Sequence, residues 1–206
     1  YFKTKSVKLS ESLAKDDVSN SALAIRLAVY DAEVHEEIAA QLKTAPKDAV
    51  LHLLSAYTAQ RNGELSAALD HFDQAYAENK SFLQAVRQTA VIRLRRGEYA
   101  QAEKSIETLE QKIAQSFPAL FFRALLEYER PQGDLLLAKR TLQTTIGLAG
   151  QIRATDLAEA YVLRAKLLRR EGNVDGAIDD LSKAARLAPR NEKLLSLLGS
   201  LYFEKN

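Results

Sequence analysis

The chain has 206 residues, 47% hydrophobic and 27% charged, with a formal net charge of +2. That balance fits a folded chain with a buried core, excludes a disordered one, and gives no general pull toward nucleic acid or anionic membrane. It contains no cysteine, which removes disulfides, thiolate metal sites and cysteine nucleophiles, and no apolar run reaches the ~18 residues of a membrane span.

Residues 1–18 read as a polar, initially basic arm, and a helix cap is expected near Ser19–Ser21. From Ala22 onward apolar residues recur at three- and four-residue spacing, the signature of helix. The stretch 19–48 carries Ala22, Val34, Ile38 and Pro46 but no turn glycine, so its register is irregular. The next, 49–82, shows Leu51, Leu54, Ala56 and Ala59, then Leu69, Phe72, Ala75 and Tyr76. Similar pairs of runs occupy 83–118, 119–157 and 158–191, and 192–206 supplies half of another pair. Pro46 and Pro189 fall where helices should have ended. No alternating strand pattern occurs, so the expected class is all-α.

The punctuation is periodic. Gly63 and Gly97 stand 34 positions apart, as do Ala68 and Ala102. Such an interval is left by a stack of helical hairpins. Gly63, Gly97, Gly133 and Gly172 are expected in the turns, where a residue without Cβ takes the left-handed conformation. Ala68, Ala102, Ala138 and Ala177 come early in each second helix, where a methyl group lets two backbones approach closely. Between Gly133 and Gly172 the interval grows to 39 residues, with the extra length around "GLAGQIRATD".

These residues resemble the tetratricopeptide repeat. The stretch from Ala158 carries Tyr161, Ala165, Gly172, Ala177, Leu181, Ala184 and Pro189 in phase with that family, and Leu195, Leu198-Gly199 and Tyr202 begin another repeat. Ala56, Gly63, Ala68, Phe72 and Ala75 match in an earlier hairpin, as do Ala90, Gly97, Tyr99, Ala102 and Ile106. The resemblance implies a right-handed α-solenoid of antiparallel helix hairpins over 19–206. It implies a non-catalytic scaffold or adaptor that holds a protein or peptide in a concave groove lined by the first helix of each hairpin, helix A.

Helix A positions left free by the packing pattern are Tyr57, Gln60, Arg61, Gln84, Arg87, Gln88, Arg95, Arg123, Glu127, Lys166 and Arg170. The set is polar and mostly basic, which favours an acidic partner, because guanidinium groups pair carboxylates in forked geometry. Arg61, Arg95 and Arg170 also fit a plainer role, complementing helix dipoles near C-termini. The lysine-and-asparagine clamp of some tetratricopeptide co-chaperones does not carry over, since its first positions fall on Leu53 and Tyr57.

Other chemistry finds little footing. His35, His52 and His71 are scattered without ligand spacing, so no metal or other cofactor is expected, and His52 takes a large packing position. Glu36-Glu37 and Asp179-Asp180 read as solvated acidic faces. No nucleophile elbow or phosphate-binding glycine loop occurs, and no enzyme is expected. The basic runs Arg93–Arg96 and Lys166–Arg170 lack the interleaved aromatics that single-strand binding needs. The alternative function is an assembly module acting through its ends or convex face. Separately, Leu195, Leu198, Tyr202 and Phe203 on the last helix call for a covering helix, supplied by a longer natural chain or by a second subunit.

Overall fold

The computed structural model describes residues 32–205. The arm at 1–18, the cap near Ser19–Ser21 and the first part of the 19–48 hairpin lie outside the described residues. Within them are ten helices and no strand. They are α1 (Ala32–Thr44), α2 (Ala49–Asn62), α3 (Leu65–Glu78), α4 (Leu83–Arg95) and α5 (Tyr99–Ile113). After these come α6 (Phe117–Glu129), α7 (Leu135–Gly147), α8 (Ala154–Arg170), α9 (Val174–Leu187) and α10 (Glu192–Lys205). The all-α class expected from the sequence is the one observed. The chain divides into two compact units, one ending at Ile92 and one beginning at Arg93.

In the first unit α2 and α3 form a hairpin, and the turn between them has a defined chemistry. Gly63 adopts φ +81°, its N–H donates to the Gln60 carbonyl at 3.2 Å, and the Glu64 N–H donates back to Ala59 at 2.9 Å. These paired bonds satisfy carbonyls that a helix end otherwise leaves open, and they need a left-handed residue. Asp48 starts α2 by accepting from the N–H groups of Val50 and Leu51 at 2.8 and 3.1 Å. The core joins Leu53 and Ala56 of α2, Ala68, Phe72 and Ala75 of α3, and Ala85 and Ile92 of α4. Ala68 is fully buried, so a larger side chain there would push α2 and α3 apart.

The second unit repeats the device twice. At Gly97 (φ +71°) the Glu98 N–H reaches Arg93 at 2.9 Å, and at Gly172 (φ +79°) the Asn173 N–H reaches Leu168 at 2.9 Å. Ala102, Ala138 and Ala177 are all fully buried in second-helix positions. Cores form where α8 and α9 meet α10, through Ala165, Leu181 and Leu201 and through Ala158, Ala184 and Leu194.

The turn between α6 and α7 departs from the expected scheme. Gly133 does not take the left-handed conformation. A Cβ placed on it would stand 1.9 Å from the Glu127 carbonyl oxygen, so glycine is required there by close backbone approach. The turn is tied by a side chain: the Asp134 N–H donates to Glu127 Oε2 at 2.9 Å, and Asp134 in turn caps α7 by accepting from the Leu137 N–H at 2.8 Å.

Candidate partner-binding site

The helix A surfaces are those of α2 and α4 in the first unit, and of α6, α8 and α10 in the second. On α2 and α4, three of the expected residues form one connected polar cluster with a fourth beside it. Gln60 Nε2 donates to Gln88 Oε1 at 3.2 Å, and the Tyr57 hydroxyl engages Gln88 as well. Tyr57 is held edge-on against Phe72, with ring centroids 5.1 Å apart. Burial raises its phenol above the ordinary range, offset in part by the Arg87 guanidinium nearby and by Gln88. The hydroxyl therefore stays protonated. Arg87 is half-buried, and its Nε is buried with no hydrogen-bond partner among the described residues. A buried donor without an acceptor is costly. Gln84, a turn earlier on α4, is half-buried.

Arg61 and Arg95 are exposed in the last turns of α2 and α4, where the helix C-terminus favours positive charge. Arg170 is exposed at the end of α8, and its Nη1 lies 3.5 Å from the Tyr128 carbonyl. Lys166 is exposed on α8.

Two of the expected groove residues are committed elsewhere. Arg123 forks onto Glu110, Nε to Oε1 at 2.8 Å and Nη2 to Oε2 at 2.6 Å, and its Nη1 donates to Glu103 at 3.0 Å. Those bonds join α6 to α5 and hold the guanidinium pKa well above its usual value, chiefly through the Glu110 hydrogen bond. Glu127 is 1% exposed and paired with Arg130 at 2.5 Å, besides organising the α6–α7 turn. It is a structural carboxylate, not a surface group. Helical phase alone places it outward, because phase carries no information about the turn that folds over it.

The acidic pair on α9 needs the same correction. Asp179 is exposed and bonded to Lys183 at 2.5 Å, but Asp180 is 2% exposed. Arg164 of α8 grips it in bidentate fashion, Nε to Oδ2 at 2.6 Å and Nη2 to Oδ1 at 2.7 Å, while Nη1 donates to Gln143 of α7 at 2.7 Å. Arg164 thereby ties three helices. Asp180 is the main cause of its raised pKa, through those hydrogen bonds.

Two of the three histidines meet. His52 and His71 face each other, Nδ1 to Nδ1 at 3.0 Å, and His52 Nε2 lies 3.0 Å from the Pro46 carbonyl. The carbonyl can only accept, so His52 carries its proton on Nε2 and accepts at Nδ1 from His71. Among the described residues no group of three or more His, Asp or Glu is placed to hold a metal ion. No helix among them is long and apolar enough to cross a membrane.

A cavity of about 340 Å³ opens on the helix A side of the second unit, where α6, α8 and α10 contribute to its wall. Its rim carries Tyr128, Glu129, Lys166 and Arg169, and its floor is apolar. Here a concave apolar surface and unpaired charge coincide. No sequence pattern points to it, since its floor is made of ordinary packing residues.

Residues 158–191, which form the α8–α9 hairpin, match the tetratricopeptide repeat family. No curated protein matches the chain at a significant level. Among solved structures, a thermophilic tetratricopeptide-repeat protein of Thermus thermophilus superposes with a TM-score of 0.66 at 19% identity, covering 95% of this chain and 96% of its own. A tetratricopeptide repeat protein from Parabacteroides merdae gives 0.55 at 18% identity, covering 94% and 90%. The MamA protein gives 0.55 at 15% identity, covering 76% and 82%. At these identities the likeness is one of fold, that of the tetratricopeptide α-solenoids.

Proposed function

We propose that this chain, a helical-repeat protein of the tetratricopeptide type, is a non-catalytic scaffold that binds an acidic protein or peptide partner on its helix A face. The observation that carries the reading is the cluster of Tyr57, Gln60, Arg87 and Gln88. Tyr57, Gln60 and Gln88 are held in place by Phe72 packing and mutual hydrogen bonds, and the half-buried Arg87 guanidinium stands beside them. Groups fixed in advance lose little conformational freedom on binding, so the cluster is suited to gripping a carboxylate.

The test is capture of interacting proteins on the immobilised chain, comparing Arg87→Glu with Gln74→Glu, a change of charge on an exposed second-helix position. Capture should fall about tenfold or more for Arg87→Glu, the equivalent of one charge-assisted hydrogen bond, and stay unchanged for Gln74→Glu. Circular dichroism controls for folding. Equal capture by both would refute binding on this face.

One observation favours a second reading, an assembly module working through its end. On α10 Leu195, Tyr202 and Phe203 are 46%, 49% and 87% exposed, more apolar surface than a solvated helix needs. Under that reading Phe203→Glu abolishes association and Arg87→Glu does not.

A further inference from the structure

We propose that the cavity walled by α6, α8 and α10 is a subsite for one large apolar side chain of a partner peptide, carried beside a carboxylate that meets Lys166. The inference rests on helix A face binding as read above and adds the chemistry of what is bound.

At about 340 Å³ the cavity sits near the lower limit of ligand clefts, which run from roughly 300 to 1,000 Å³. It has room for a single bulky side chain and adjoining backbone, and none for a folded surface. Its floor includes Ala165, Leu181 and Leu201, each no more than 1% exposed and all members of the α8–α9–α10 core. A floor made of core residues is preformed, since it cannot move without unpacking three helices. An apolar group entering it leaves water against the half-buried Leu197, which stands in front of that floor.

Charge on the rim decides what stands next to that apolar group. Arg169 is bonded to Glu204 at 2.6 Å, so this pair offers little net field. Lys166 is exposed and has no hydrogen bond or ion pair among the described residues, and Glu129 on the α6 side is likewise unpaired. Arg170 stands beside the rim with its guanidinium near the Tyr128 carbonyl. The α8 wall thus carries Lys166, Arg169 and Arg170 against Glu204, while the α6 wall carries Glu129. A peptide carboxylate is drawn to the α8 wall and repelled from the α6 wall. The bound segment is therefore oriented, with its acid toward Lys166.

The test uses three labelled pools of short synthetic peptides with Leu, Ile or Phe at the centre, flanked by Asp or Glu, by Asn or Gln, or by Lys or Arg. Fluorescence anisotropy reads binding to the intact chain. The acid-flanked pool should bind about tenfold more tightly than the amide-flanked one, the factor a single charge-assisted contact supplies. Lys166→Glu should abolish that preference or turn it toward the Lys/Arg pool, and Glu129→Gln should strengthen it. Both positions are exposed, so neither change threatens the fold. Leu197→Asn, on the cavity wall, should weaken all apolar-centred pools alike. Equal binding of acid- and amide-flanked pools, a preference untouched by Lys166→Glu, or no binding of any pool would overturn the subsite. Should Arg87→Glu still abolish partner capture in that event, helix A face binding stands and only the subsite is lost.

Discussion

Glu127 and Gly133 occupy adjoining space with no room for another atom between them. The glycine's missing Cβ would fall 1.9 Å from the Glu127 carbonyl oxygen, while the Glu127 carboxylate accepts from the N–H of Asp134 next to that glycine. Gly133→Ala must therefore move backbone, and should destabilise the chain by about 3 kcal/mol, the upper end for overpacking. Gly63→Ala meets nothing within 4 Å and should cost only the left-handed strain of about 1 kcal/mol. Urea unfolding of the two variants side by side checks the order.

The Arg164–Asp180 pair predicts an asymmetry between its partners' replacements. Arg164→Met removes both close hydrogen bonds from a carboxylate that is 2% exposed and leaves it Lys183 at 3.9 Å, which should cost about 3 kcal/mol. Arg164→Met with Asp180→Leu removes both charges and should recover most of that loss. A double-mutant cycle in denaturant measures it.

His71 gives the first unit a pH dependence. Burial, and secondly His52, hold its pKa below the ordinary value of 6.5, with Asp70 opposing. The folded chain thus binds protons less readily than the unfolded one, and stability present above pH 6.5 is lost as pH falls through that value. The melting temperature should drop between about pH 7.5 and 5.5, either side of the imidazole range, more than it does in His71→Gln, as followed by circular dichroism. An identical drop in the variant assigns the effect to other groups.

The alanines that seat one helix against the next predict a size limit. Ala102→Leu and Ala177→Leu, both at fully buried positions, should each destabilise by roughly 1–3 kcal/mol, whereas Ala100→Leu, on the exposed side of α5, should not. Thermal melts of the three decide it.

What is legible in the sequence is what a backbone conformation or a close approach demands of one residue. Gly63, Gly97 and Gly172 announce left-handed turns because other residues are strained there, and Ala68 or Ala177 announces contact because nothing larger fits. Helical phase points Glu127, Asp180 and Arg123 outward because it knows only the helix they sit on. Their partners come from neighbouring helices or from a turn folded back. For one pair a sequence signal does exist: Arg164 and Asp180 lie equally far from Gly172 on either side, so an antiparallel hairpin closed there sets them opposite each other. The cavity beside Lys166 has no such cue, since its floor depends on how three helices meet.

The Gly63, Gly97 and Gly172 turns share a common bonding, and the first two are interchangeable parts. "NGE" and "RGE" should be swappable between their loops without loss of stability, whereas replacing "EGN" gives up the Asn173 cap on the Gly176 N–H and the Glu171–Lys139 pair; whole hairpins that keep their own loops should be transplantable as cassettes. The loop at Gly133 is not such a part, because its geometry travels only together with a glutamate six residues upstream. An engineer lengthening this chain would splice at the first three and leave the fourth alone.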